Sequence, residues 1–477
     1  MINAGENYNS YSANFLLTKQ IFKVIIEIIN IDVRNVRQIL ICQIIGNVLF
    51  VQLTGQRINT LKQRINWDLY ISGRDYMKKR VLSLFLVLSV MVVSLAACGK
   101  KNETSNDNGK QQSEQTQNES GGKKFYIGGI GPLTGNAAVY GQHVKAAAEI
   151  AVDESNEACG INGALIEFRF EDDEHDPEKS VNAYNTLKDW GMQILMGTVT
   201  SDPCIAVKEE AYADNMFMLT PSSSSPEVVK YGNVFQVCFT DLNQGTGAAQ
   251  YIANHNLASK VAVIYNSSDT YSTGIYEKFA EEAKNHNFEI VAAEAFTSDN
   301  KSDFSVQLNK AKAAGAELVF LPIYYEEATL ILTQANSIGY KPTFFGCDGL
   351  DGILGVKNFD TSLAEGVMLL TPFAADAEDE RTQAFVAKFK ESFGSIPNQF
   401  AADAYDAMYI LKAAIEESGV TPDMSVSDIC EALKEAMTKI TYDGLTGAGM
   451  TWSATGEVNK QPMAVVIKDG QYVSVEK

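Results

Sequence analysis

The chain has 477 residues, 45% of them hydrophobic and 21% charged, with a net charge of −20. That length holds two or three domains of ordinary size, and the +6 carried by residues 1–97 leaves −26 on the remainder, a surface that argues against nucleic acid, whose binding needs clustered cations. Seven cysteines without a C-x-x-C pair, and four histidines at no ligand spacing, argue against a zinc ribbon, a redox pair and a histidine metal centre.

Residues 1–76 contain 14 isoleucines but no clean helical or alternating period. They are expected to be a spurious or disordered extension, with Met77 as the true start; a genuine N-terminal extension is the alternative. Residues 77–97 read as an export signal. Lys78, Lys79 and Arg80 form a basic head, and residues 81–97 carry no charge. The run is at the short limit for a bilayer span, so length leaves a transmembrane helix open. The exit Leu95-Ala96-Ala97-Cys98-Gly99 resembles the lipobox of bacterial lipoproteins, which implies lipidation of Cys98. Multiple acyl chains on one residue hold a protein at a membrane where one chain is marginal. Residues 98–124 follow as a disordered tether, since from Lys100 onward the segment has no apolar residue to bury.

From Phe125 short apolar runs alternate with helical patterns. "FYIGGI", "ALIEFRF", "QILMG" and "MFML" read as strands, with helices at 142–156, from the Asp176-Pro177 cap, and at 203–214. The pattern restarts at "KVAVIYN" and continues through "EIVAAEAF", "ELVFLPI" and "TFFG", with helices at 274–286, 302–314 and 326–338. Helices at 379–393 and 400–417 follow, then short strands around "MTWSA", "MAVVIKD" and "QYVSV". Two βαβ blocks imply an α/β fold of two lobes with parallel sheets. Such sheets place ligands beyond the C-terminal ends of their strands.

The loops after strands carry the candidate chemistry. Residues 198–203 and 220–226 are hydroxyl-rich turns, each feeding a helix that opens with proline, and helix N-termini bind anions. Ser201 and its neighbours are candidates for a carboxylate; the simpler reading is that Ser201, Asp202 and Ser225 cap their own helices. Asp348, between small residues after "TFFG", is a candidate for an ammonium group or else a turn aspartate. Tyr140, Tyr271, Tyr324 and Tyr325 sit in the same class of loop and are candidate pocket walls. "GGIGPLTG" (128–135) lacks dinucleotide-loop spacing, and "EDDEHDP" (171–177) reads as a strand end plus a helix cap rather than a metal site. No cofactor, metal or activated nucleophile is expected.

Together "IGGIGPLTGNAAVYGQ", "FEDDEHDPEKSV", "LTPSSSSPEV", "DLNQG", "LPIYYEEA" and "GCDGLDG" resemble, in order and spacing, the leucine/isoleucine/valine-binding protein family, the type I periplasmic binding proteins of ABC transporters. The resemblance implies two Rossmann-like lobes joined by a three-segment hinge, crossing near Asp241, Pro372 and residues 441–445. Lobe 1 is then 125–241 with 373–443, and lobe 2 is 242–372 with 444–477. It implies that Ser201 contacts the ligand carboxylate, that Ser223 and Ser224 supply a carbonyl and a hydroxyl, that Asp348 takes the ammonium, and that Tyr140, Tyr271, Tyr324 and Phe400 wall the pocket. Asp348 is glutamate in many members, Ser223-Ser224 replaces an Ala-Thr pair, Cys347 stands where proline is common, and His175 and Thr200 stand where some members have a disulfide. These departures extend the expected ligand from a branched-chain to a small polar or aromatic amino acid. The implied protein is not an enzyme. It is a monomeric, extracytoplasmic substrate-binding lipoprotein, held at the membrane by its lipid and serving an ABC permease. A sensor signalling to a membrane receptor is the alternative.

Overall fold

The computed structural model describes residues 123–475. The start at Met77, the lipidation of Cys98 and the tether as far as residue 122 lie outside the described residues. The elements in chain order are β1 (Lys124–Gly131), α1 (Ala138–Glu157), β2 (Leu165–Asp172), α2 (Pro177–Trp190), β3 (Ile194–Gly197), α3 (Ser201–Ala213), β4 (Phe217–Thr220) and β5 (Val234–Gln236). There follow α4 (Asp241–Asn254), β6 (Lys260–Asn266), α5 (Thr270–Glu282), β7 (Glu289–Phe296), α6 (Ser305–Ala313), β8 (Leu318–Leu321), α7 (Tyr325–Ser337), β9 (Thr343–Gly346) and β10 (Met368–Thr371). The last are α8 (Glu380–Phe393), α9 (Gln399–Ser418), α10 (Val426–Met437), β11 (Met463–Lys468) and β12 (Gln471–Ser474).

The strands form two sheets. One is all parallel in the order β2-β1-β3-β4-β5, and the other runs β12-β11-β10-β9-β8-β6-β7, parallel except where β11 meets β10 and β12. The central strands are apolar on both faces because both faces are covered. In β3, Ile194 and Met196 join the core under α1 and α9, whereas Leu195 joins the core under α2 and α3. In β6, Val261 and Val263 face α4 and α5, and Ala262 and Ile264 face the opposite core. Helices α8 and α9 pack on α1, and α10 packs on β3 and β4, so these late helices belong with the first sheet. Helix α4 packs on α5 and β10, with the second sheet. The chain therefore passes between the two sets of elements three times: between β5 and α4, between β10 and α8, and between α10 and β11.

Several boundaries differ from the sequence reading, each for a local reason. Strand β1 begins at Lys124, inside the segment read as tether, because Lys124 is already in register with Leu165. Helix α1 starts at Ala138 rather than 142. Gly141 permits this, since a Cβ there would lie 2.1 Å from the Pro132 carbonyl oxygen, so the first turn rests directly on the "GPLTG" loop. Helix α3 starts at Ser201, which places Ser201 in its first turn. The expected helix at Pro226 is a single 3-10 turn, Pro226–Val229, with Ser225 Oγ accepting from Glu227 N, so it offers no lasting helix N-terminus for an anion. "MTWSA" is not a strand: Met450 and Trp452 make isolated bridges to Tyr442 and Val458. Among the described residues no helix is long and apolar enough to cross a membrane.

Candidate functional site

The loops after β1, β3, β4, β6, β8 and β9, together with the N-terminus of α9, converge where the two sets of elements meet. The acidic run after β2 holds these loops in place. Asp172 accepts from the backbone N–H of Leu133 (2.8 Å) and Glu174 (3.0 Å) and from the Thr134 hydroxyl (2.7 Å). Asp173 accepts from His175 N (2.9 Å), and Asp176 caps α2 through Lys179 N (2.9 Å). Asp172 and Asp176 are occupied as a strand end and helix cap require, whereas Asp173 uses only Oδ1 and keeps Oδ2 buried without a hydrogen-bond partner.

Asp348 follows β9 and is 2% exposed. Its Oδ1 accepts from the Tyr271 hydroxyl at 2.7 Å, the same hydroxyl accepts from Gly349 N at 2.9 Å, and Asp348 N donates to Gln244 Oε1 at 3.1 Å. Gly349 is required here: a Cβ would lie 2.7 Å from both the Ile323 carbonyl and the Tyr271 hydroxyl. Burial pushes the Asp348 carboxyl up to about 6, against the lowering effect of the Tyr271 hydrogen bond.

Aromatic rings from both sets of elements surround this carboxyl. Tyr324 stacks on Tyr271 at 4.9 Å and meets Tyr140 edge-on at 5.9 Å, and Tyr140 lies 4.1 Å from Phe400. Tyr140, fully buried, donates to the Gly349 carbonyl and accepts from Tyr325 N at 3.3 Å. Tyr325, read as a pocket wall, instead turns its hydroxyl to Val139 N at 3.1 Å.

The serine loops form the neighbouring wall. Ser201 Oγ accepts from Ser225 N at 3.3 Å. The Ser223 hydroxyl is 3.0 Å from the carbonyls of Thr198 and Thr200, and its own carbonyl accepts from Gln236 Nε2 at 2.7 Å. The Ser224 hydroxyl donates to Asp241 Oδ1 at 2.7 Å. Ser201, Ser223 and Ser224 are all buried. The structure thus gathers Tyr140, Tyr271, Tyr324, Asp348 and Phe400 into one cluster and the three serines into the wall beside it.

Four residues of this region escaped the sequence reading as site residues. His175 Nδ1 is 2.8 Å from Thr200 Oγ1, and its ring lies edge-on to Tyr324 at 5.3 Å. Gln244 holds the Asp348 backbone. Asp351, pushed up to about 7 by burial, accepts from Gln399 N at 2.7 Å and so fastens the loop after β9 to the start of α9. Asp241 is fully buried, and burial, with Asp348 nearby, pushes its carboxyl well up. Asp241 appeared in the sequence only as a crossing point, His175 only in the acidic run and as a departure from a family disulfide, and Gln244 and Asp351 only inside the quoted segments "DLNQG" and "GCDGLDG".

The buried carboxyls set a pH dependence. Asp173, Asp269 and Asp351 stand at about 7 and Asp348 and Asp403 at about 6, each raised from 3.8 chiefly by burial. The folded state therefore holds protons that the unfolded chain has released, and stability is lost as pH rises through these values. The thermal midpoint of the ligand-free protein is expected to rise when pH is lowered from 8 to 6.5. Below that the buried His143 and His175, both lowered by burial, work in the opposite direction. A midpoint that falls between pH 8 and 6.5 in a calorimetric scan contradicts the assignment.

Two sheets of mainly parallel strands, three chain passages between them and a buried polar and aromatic cluster where they meet are the architecture of a type I periplasmic binding protein. The profile of the periplasmic binding protein family matches residues 124–471. A Leu/Ile/Val-binding protein homolog of Brucella melitensis is 32% identical over 365 residues, covering 73% of this chain and 93% of the relative. Among solved structures, the branched-chain amino acid transporter substrate-binding protein LivJ of Streptococcus pneumoniae, in complex with isoleucine, aligns with a TM-score of 0.68 and 25% identity over 74% of this chain and 98% of its own. A leucine-binding protein, LivK, of Thermotoga maritima aligns with a TM-score of 0.66 and 25% identity over 73% and 97%. The chain belongs to the periplasmic binding protein family, in its leucine/isoleucine/valine-binding branch.

Proposed function

We propose that this chain is the substrate-binding lipoprotein of an ABC importer, anchored outside the cell membrane through Cys98, and that it captures a free amino acid between two lobes. Lobe 1 comprises 125–241 and 373–443, and lobe 2 comprises 242–372 and 444–477. Ser201, with the Ser201 and Asp202 N–H groups at the start of α3, and the Ser224 hydroxyl take the carboxylate, and the Ser223 carbonyl, an acceptor, lies beside the ammonium. Asp348 takes the ammonium, and Tyr140, Tyr271, Tyr324 and Phe400 enclose the side chain. Closure removes water from the site and strengthens both charged contacts. The protein then hands its ligand to the permease; it performs no chemistry and acts as a monomer.

The observation that carries this reading is the Asp348 carboxyl, buried, bonded to the uncharged Tyr271 hydroxyl, and next to Gly349, whose carbonyl accepts from Tyr140 of the other set of elements. A buried carboxylate of this kind is completed by a cation. The amino-acid ligands named for the relatives support the class. A thermal-shift panel of the common amino acids on the full chain tests it: a ligand at about 100 times its Kd adds about 2.7 kcal/mol of stability. No shift with any amino acid removes the proposal.

A further inference from the structure

We propose that Tyr325 and Asp351 are positioning residues for amino-acid capture: each reaches from the second-sheet set of elements to a helix start in the first-sheet set, and together they latch the two sets closed without touching the ligand. This rests on the two-lobed reading given above and goes beyond it, because neither side chain belongs to the clamp.

Helix starts leave backbone N–H groups without intrahelical partners, and a side chain just ahead of the helix ordinarily takes one of them. Helix α1 lacks that side chain. Its N-cap is Ala137, and the Val139 N–H is taken instead by the Tyr325 hydroxyl, 186 residues away, at 3.1 Å. The exchange is reciprocal. Tyr325 opens α7, and its own N–H goes to the Tyr140 hydroxyl, from the first turn of α1, at 3.3 Å. The two rings meet edge-on at 4.8 Å. Helix α9 has a side-chain cap, Asn398, but that cap serves Ala401 N, and Gln399 N donates to Asp351 Oδ2 at 2.7 Å.

The two bonds form one patch. Gly352 lies between them with φ 118°, and a Cβ there would meet Val139 Cγ1 at 3.2 Å, Tyr325 Cδ1 at 3.4 Å and Asn398 Nδ2 at 3.8 Å. The missing side chain lets the loop after β9 press onto both helix starts at once. The Tyr472 hydroxyl holds that loop from its own sheet, accepting from Gly352 N at 2.9 Å. Separating the sets breaks both bonds and returns their donors and acceptors to water. The bonds therefore favour the closed arrangement whatever amino acid lies in the cleft, and their loss weakens every ligand by the same factor.

Hydrogen exchange of the ligand-free full chain, followed by mass spectrometry over the peptides that start α1 and α9, tests the assignment. Tyr325→Phe removes one hydroxyl and touches only α1 directly. It is expected to speed exchange about threefold or more at both helix starts, because the latch opens as a unit. Asp351→Ala is expected to do the same from the α9 side, whereas Asp351→Asn, which keeps an acceptor for Gln399 N, retains the wild-type rate. Titration calorimetry of Tyr325→Phe and Asp351→Ala with L-leucine, L-isoleucine and any further amino acid that raises the thermal midpoint is expected to show Kd raised about two- to tenfold, the range for one net hydrogen bond, by the same factor for each. Faster exchange confined to α1 in Tyr325→Phe, an unchanged Kd, or a factor that differs from one amino acid to the next overturns the latch. If no amino acid binds, the clamp reading fails, and exchange at the start of α9 in Tyr325→Phe alone decides the latch. If Asp351→Ala does not fold, Tyr325→Phe carries the test.

Discussion

Replacing Asp348 by Asn is expected to weaken amino-acid binding by about 2–5 kcal/mol, the range for truncating one partner of a buried, hydrogen-bonded charge pair, which is roughly 30- to 4,000-fold in Kd. Asn keeps the shape that Tyr271 and Gly349 hold and removes only the charge. The ligand-free protein provides the control. At pH 8 the wild-type site buries an ionised carboxylate, which opposes folding, so Asp348→Asn is expected to melt no lower than wild type. The pH dependence of affinity gives a second readout. Because burial pushes Asp348 up to about 6, wild-type affinity rises between pH 5 and 7.5 as the carboxylate forms, and that rise is reduced in the variant. Calorimetric titration showing unchanged affinity would remove Asp348 from the site.

The sequence made Asp348 visible for a simple reason. It follows an apolar strand, lies among glycines and has no long helix to cap, so the sequence offered two readings, a turn aspartate or a ligand contact. Tyr140, Tyr271 and Tyr324 were legible on the same ground, as aromatics beyond strand ends. The strand-by-strand alternation was legible too, because strands covered on both faces become unbroken apolar runs. Helix α4 and strand β5 were not, because their patterns are weak: α4 carries Gly245 and Gly247 among polar residues, and β5 is only three residues long. Asp241 and Asp351 were hidden more deeply. Their partners, Ser224 and Gln399, are 17 and 48 residues away along the chain, and only the fold brings those pairs together. The serine turns illustrate the opposite error. Both looked alike as hydroxyl-rich segments before a proline, yet one leads into a 13-residue helix and the other into a four-residue turn capped by Ser225. Hydroxyl content announces a turn; it does not report how long the helix after it will be.

The largest stability effect is expected at Lys460. Its side chain is buried, and its ammonium donates to Asp403 Oδ1 (2.8 Å), the Val237 carbonyl (2.9 Å) and Thr446 Oγ1 (2.6 Å). Asp406 accepts from the backbone N–H groups of Leu445 and Thr446, both at 2.9 Å, so two carboxyls and one cation share the space between the first and third chain passages. Lys460→Met removes the cation bonded to Asp403 and leaves two buried acids, Asp403 and Asp406, near each other. Breaking a buried pair from one side costs about 3–5 kcal/mol, read as a lower urea midpoint at constant slope. The loss should shrink at pH 5.5, because Asp403 stands at about 6 even beside Lys460 and rises further without it, so it takes up a proton and the uncompensated charge disappears. Replacing both partners, Lys460→Met with Asp403→Leu, should recover much of the loss, since desolvating an ion pair offsets most of its attraction. A double variant as stable as wild type, with weaker ligand binding, would assign the pair to holding the passages in register for closure. A single variant as stable as wild type at pH 8 would show that the pair contributes nothing to the fold.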